Sequence, residues 1–247
     1  MSLGLERGNL LIPDWPAPAR VRSCITTRAG GVSLPPFATF NLGSHVDDQP
    51  QAVAENRRRL ATTLGCQPAW LEQVHGIRVV EADPLRVAEA DASWTATPGI
   101  ASVVLTADCL PLLFCDRGGT RVAAAHAGWR GLAAGVLEAT LDALGVPAEQ
   151  VLVWLGPAIG PQAFEVGGEV RDIFLAQHPQ AAEAFVASRN PGRFMADIYQ
   201  LARIRLAACG VSAIYGGGGC TYSDPRFFSY RRAARTGRFA SLIWLAN

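Results

Sequence analysis

Arg20–Thr27, RVRSCITT, alternates polar and apolar residues and predicts a strand with one buried face. Further along, Ala101–Leu105, Leu110–Cys115 and Arg121–Ala125 are short apolar runs. The last two are separated by the turn residues Asp116–Gly119, and all three predict neighbouring strands. Val151–Leu155 and Ala240–Leu245 predict further buried strands, and Val79–Glu81 a shorter one. Leu132, Val136, Leu137, Thr140, Leu141 and Leu144 fall on one face of a helix over Leu132–Leu144, with Gly145 and Pro147 as its stop. Ala52–Leu64 predicts a helix ending at Gly65, and Glu169–Ser188 and Asp197–Ala208 predict two more. Asp91–Trp94 predicts a turn. Arg28–Asp48 is rich in Gly, Pro and Ser and predicts a long ordered loop, whose aromatics and Asn41 point to function. Strands and helices mix without strict alternation, which predicts a layered α/β fold with mixed sheets rather than a doubly wound one.

Composition narrows the function classes. The 247 residues are 49% hydrophobic and 17% charged, enough for one large core. The formal net charge is +1, with no basic or acidic tail, so a nucleic-acid partner is not expected. The chain has no lysine, which excludes a lysine Schiff base or a phosphate-loop lysine and leaves anion binding to arginine. The first residues lack the pattern of a secretory signal and no segment has the length of a membrane span, so a soluble cytoplasmic protein is expected. The six cysteines then read as free thiols or ligands rather than a disulfide framework.

Three polar residues interrupt apolar or turn segments: His75 in LEQVHG, Cys109 in TADCLPLLF and His126 in AAAHAGWRG. One thiolate and two imidazoles suit zinc, and three protein ligands with an open fourth position suit a catalytic centre. Their spacing matches no local zinc motif, and isolated cysteines and histidines are commonly structural. The same residues also suit a nucleophile, Cys109, with His126 as its base and Asp108 as an orienting carboxylate. Both readings need a deprotonated sulfur. Glycines and arginines form a second theme. Arg130 opens a helix in GWRG, Arg28 stands beside two glycines in TTRAGG, and Gly216–Arg232 combines a glycine run, Cys220, aromatics and arginines.

The motifs TRAGGVS, FNLGSHV, QVHG, TADCLPLL, AAHAGWRGLAAGV, LGPAIGPQAFEVGGEV and CTYSDPRFFSYRR…TGRFASLIWL occur in that order. Together they resemble the YfiH family (DUF152, the laccase-like polyphenol oxidases), from about Arg28 to the C-terminus. The resemblance implies a four-layer α/β/β/α fold with mixed sheets, like the catalytic domain of cytotoxic necrotising factor. It implies a single domain over residues 1–247, with 1–19 as an N-terminal extension. His75, Cys109 and His126 become zinc ligands, with copper the lesser candidate. The implied activity is phosphorolysis of adenosine, inosine and S-methyl-5′-thioadenosine, with adenosine deamination. Cys109, His126 and Asp108 then stand as catalytic residues. Arg28 and Arg130 are candidates for phosphate, and Asn41 and His45 for ribose or base. The partners expected are a purine nucleoside and phosphate, with no nucleic acid or membrane, in a monomer or weak homo-oligomer. A cysteine amidase editing peptidoglycan precursors is the alternative. A multicopper phenol oxidase is disfavoured, because four histidines cannot furnish its copper ligands. The chain departs from the common family pattern at Gln162 and Ala163, where many relatives carry cysteine, and at HVDDQP around Asp47 and Asp48.

Overall fold

Strand pairing in the computed structural model, which describes residues 7–246, follows the alternation written in the sequence. The first elements are β1 (Leu10–Leu11), β2 (Val21–Thr26), α1 (Pro50–Leu64), β3 (Gln67–Ala69), β4 (Leu71–Glu72), β5 (Val79–Glu81), β6 (Ala88–Glu89) and β7 (Ala92–Thr95). The middle of the chain forms β8 (Ile100–Thr106), β9 (Leu110–Asp116), β10 (Val122–Ala127), α2 (Trp129–Ala134), α3 (Val136–Leu144) and β11 (Val151–Leu155). The last part adds β12 (Glu165–Gly167), α4 (Gly168–Gln177), β13 (Phe185–Ala187), β14 (Arg193–Ala196), α5 (Ile198–Ala208), β15 (Ala213–Gly216) and β16 (Phe239–Leu245).

Two mixed sheets dominate, one in the order β1-β2-β16-β8-β3 and the other in the order β15-β11-β9-β10-β7-β5. They pack face to face. Ile25 of β2, Val104 of β8 and Ile243 of β16 meet Leu113 and Cys115 of β9 and Val122 of β10 between them. The other face of β9 presents Leu112 and Phe114 to Leu132 of α2, Leu137 of α3 and Leu201 of α5. On the opposite outer face, Cys24 of β2 and Leu242 of β16 pack with Leu60 of α1. The result is four layers, α/β/β/α. Every residue of β9 and β10 is buried, which is why both read as continuous apolar runs.

Three expectations are corrected. The helix over Leu132–Leu144 starts earlier and is broken at Gly135, whose φ of 109° caps α2 and opens α3. Glu169–Ser188 is not one helix. α4 ends at Gln177, Pro179 begins a short 3-10 segment, and β13 follows, because proline cannot continue the helix's hydrogen bonding. Asp91–Trp94 is not a turn: Ala92–Thr95 is β7, paired to both β10 and β5. The short strands β3, β4, β6 and β12–β15 have two to four residues each, too few to display a period.

The long loop after β2 is ordered around Asn56, a buried residue of α1. Its Oδ1 accepts the Val32 amide at 2.9 Å, and its Nδ2 donates to Ser33 Oγ at 3.0 Å and the Asn41 carbonyl at 2.9 Å. Among the described residues, no helix is long and apolar enough to cross a membrane. Asn56→Ala is expected to strand these buried groups at a cost of about 1–3 kcal/mol each. A drop in the urea midpoint, with faster hydrogen exchange at Val32, would show it. An unchanged midpoint would contradict this role.

Candidate metal centre

The connection from β8 to β9 contains only Ala107, Asp108 and Cys109, with Asp108 at a φ of 108°. It sets Cys109 at the very end of the sandwich. β10 runs antiparallel to β9, with Ala127 opposite Leu110, so His126 comes back to the same end. His126 shares its face with Val122 and Ala124, and that face meets the other sheet. His75 arrives from the loop between β4 and β5, with a φ of 61°. That value is uncommon for a residue with a side chain and is held by its surroundings.

The holding group is Asp91, completely buried just before β7. Its carboxylate accepts the backbone amides of Val74 at 3.2 Å, His75 at 2.9 Å and Gly76 at 2.6 Å. The same carboxylate is 2.8 Å from His126 Nδ1. One side chain therefore fixes both the His75 loop and the His126 ring, and turns His126 Nε2 toward Cys109. Gly128 closes the other side. A Cβ there would stand 2.7 Å from His75 Cδ2 and 3.1 Å from Cys109 Sγ, closer than packing allows.

His75, Cys109 and His126 each offer one ligand atom, all within 4.8 Å of one another. Cys109 Sγ lies 3.7 Å from His75 Nε2, and the two imidazoles meet edge to face with centroids 4.7 Å apart. These residues fit a metal ion: a soft thiolate, two imidazoles and a carboxylate behind one of them. Electrostatics agrees. Burial alone would raise the Cys109 thiol, but the adjoining His126 charge and hydrogen bonds from both histidines bring it down to about 6. Burial opposes charge on His126, yet the Cys109 thiolate and Asp91 raise it to about 9.

The centre opens into a cavity of about 370 Å³. Trp129, Ile159, Phe164, Ile198 and Tyr230 give it an apolar wall, and His45, Gln73, Asp108, Arg231 and Arg238 supply polar groups. That mixture is the usual build of a small-molecule site.

Residues 22–246 match the family model described as multi-copper polyphenol oxidoreductase laccase. The chain belongs to this laccase-like family. It is 73% identical over 238 residues to a purine nucleoside phosphorylase of Pseudomonas aeruginosa, covering 96% of this chain and 98% of that one. It is 56% identical over 241 residues to the purine nucleoside phosphorylase YfiH of Escherichia coli K12, again covering 96% and 98%. Among solved structures, a DUF152 protein of Neisseria meningitidis superposes with a TM-score of 0.94 at 52% identity, over 97% of this chain and 100% of that one. YlmD of Geobacillus stearothermophilus gives 0.92 at 30% identity, over 98% of each.

Within this laccase-like fold, the residues picked out by sequence fall into two groups. His75, Cys109, His126, Asp108 and His45 all line the cavity. Arg28, Asn41 and Arg130 do not. Arg28 Nε donates to the Ala38 carbonyl and its guanidinium covers Phe228. Asn41 is buried with its amide engaged by Gly43, Asp48 and Arg238. Arg130 is exposed and lies over Trp129. Asp108 accepts the Thr221 hydroxyl at 2.6 Å and the Arg231 amide at 2.7 Å. Asp91 and Arg238 escaped the sequence-based choice. The available signal for Asp91 is a carboxylate flanked by alanines in AEADASW, two residues after Glu89.

Two outcomes are expected. Asp91→Asn should weaken metal binding about 10- to 100-fold, read with added zinc as the probe by competition with a chromophoric chelator. Unchanged affinity would remove Asp91 from the account. A metal must also displace the His126 proton, which is held up to about 9. Metal affinity should therefore rise about tenfold per pH unit from about 6, where the thiol is already ionised, toward 9. A flat profile between pH 7 and 8 would contradict the pairing.

Proposed function

We propose that this chain is a zinc-dependent purine nucleoside phosphorylase that also deaminates adenosine. Its substrates are adenosine, inosine and S-methyl-5′-thioadenosine, cleaved to the free base and the pentose 1-phosphate. The observation that carries this reading is the His75–Cys109–His126 cluster opening into an apolar cavity that also holds Arg231 and Arg238. The names of the Pseudomonas and Escherichia relatives, matched along nearly their whole length, support it.

His75, Cys109 and His126 would hold the zinc, which would supply Lewis acidity when bound. The protein does the rest. Asp91 keeps His126 in the tautomer that presents Nε2. Trp129, Phe164 and Tyr230 offer flat apolar surfaces to a purine and exclude water. In phosphorolysis a phosphate oxygen bonds to C1′ while the C1′–N9 bond breaks. The base leaves with the electron pair and takes a proton. Asp108, held as an acceptor by Thr221 and the Arg231 amide, faces the positive charge that develops on the sugar. In deamination, water oxygen bonds to C6 of adenine and ammonia departs.

A multi-copper oxidase would need more imidazoles than the chain's four histidines, of which His178 lies outside the cavity wall. The cysteine hydrolase reading, with a peptidoglycan-precursor amide as substrate, draws on a specific observation: the low Cys109 thiol beside His126.

Product analysis separates these readings. Purified protein is incubated with adenosine, with and without phosphate, before and after metal removal. Adenine and ribose 1-phosphate should appear only with phosphate, and inosine should appear independently of it. Cys109→Ala should lower both rates at least about 100-fold, as expected for loss of a metal ligand. No product from zinc-loaded protein overturns the nucleoside reading. Activity that survives chelation but not thiol alkylation points to the hydrolase.

A further inference from the structure

The cavity wall carries two arginines and a single carboxylate. Asp108 is the one carboxylate among the lining residues, and both its oxygens already accept protein donors. Against it stand two arginines. Arg231 spends its guanidinium on the carbonyls of Ala163 and Glu165. Arg238 does not. Its Nη1 donates to the Thr236 and Gly237 carbonyls, both at 3.0 Å, while Nε and Nη2 have no partner among the described residues. No described carboxylate lies within ion-pair distance of it. A half-buried guanidinium with free donors and no carboxylate within ion-pair distance can take an anion on its open edge.

The fold goes to some length to place this side chain. Asn41, buried in the long loop after β2, accepts the Arg238 amide on Oδ1 at 2.8 Å and the Gly43 amide at 2.9 Å. Its Nδ2 donates to Asp48 Oδ2 at 2.9 Å. The stem of Arg238 lies against Gly43, where an added Cβ would come within 2.8 Å of Arg238 Cγ. Asn41 therefore acts by positioning the Arg238 backbone. His45, four residues beyond Asn41, lines the same cavity.

We propose that Arg238, aimed by Asn41 and Gly43, is the binding group for inorganic phosphate in this cavity, with His45 on the same wall. The assignment rests on the phosphorylase reading for its choice of anion. Purine nucleosides are neutral, so Arg238 has no charged partner in that substrate. A planar guanidinium with two free N–H edges matches a phosphate oxyanion. Burial works against charge on Arg238 and outweighs the support of Cys109, Asp108 and Tyr230, and a bound dianion would offset that penalty. Arg28 and Arg130 are replaced in this role because neither reaches the cavity wall.

Two probes test it, inorganic phosphate and a nucleoside 5′-monophosphate, each titrated calorimetrically into the full-length protein and variants. Arg238→Gln should weaken inorganic phosphate binding at least about tenfold. It should raise the KM for phosphate correspondingly and leave zinc content unchanged. Arg238→Lys keeps the charge without the fork and should recover part of the loss. Gly43→Ala keeps Arg238 but displaces its stem, and should raise the phosphate KM while kcat at saturating phosphate holds. These two variants decide the matter if Arg238→Gln fails to fold. Wild-type phosphate affinity in Arg238→Gln, or in both Arg238→Lys and Gly43→Ala, overturns the assignment. So does a wild-type protein that binds the nucleotide but not inorganic phosphate. If the wild type binds phosphate through Arg238 yet releases no base, the anion site stands and the phosphorylase reading alone fails.

Discussion

One buried carboxylate governs the geometry of the site. Asp91 has no exposure to solvent, and burying an unpaired charge would cost several kcal/mol. Three backbone amides of the His75 loop and the ring of His126 make the burial tolerable. Those bonds also pin two ligand-bearing segments that are far apart in sequence. Burial raises the Asp91 carboxyl, but the His126 bond and the backbone donors hold it below the usual carboxylate range. The group stays an anion, His126 stays oriented, and Cys109 meets a ready-made partner.

The two sheets make that arrangement stiff. β9 and β10 are buried on both faces, so Cys109 and His126 are fixed by registers that cannot slip without exposing a whole core face. Gly128 allows the turn into α2 to pass close to His75 and Cys109. At the other side of the cavity, the long loop reaches the end of the chain through Asn41 and Arg238. Metal centre and arginine thus belong to separate supports, one built on β7–β10 and the other on the loop after β2.

Much of this was legible in the sequence. His75, Cys109 and His126 stood out because polar, reactive groups interrupted apolar or glycine-bearing segments. The main strands and the layered class followed from hydrophobic runs. Asp91 was missed because β7 is short and its neighbours are small, which suggested a turn. Arg28 and Arg130 were chosen for their glycine neighbours and for a helix start. Yet α2 is only six residues long and Arg130 points to solvent over Trp129. Arg238 depends on a contact with Asn41 across 197 positions, which no local pattern displays. The family's laccase description carries no such geometric argument, since the chain's histidines are too few for a copper array.

The proposed zinc ion would sit on His75, Cys109 and His126. Anomalous diffraction at the zinc edge from crystals of the purified protein tests it most directly. A single strong peak is predicted, about 2.3 Å from Cys109 Sγ and about 2.0–2.1 Å from a nitrogen of each histidine. No peak there in zinc-replete crystals, or a peak held by other residues, would contradict it.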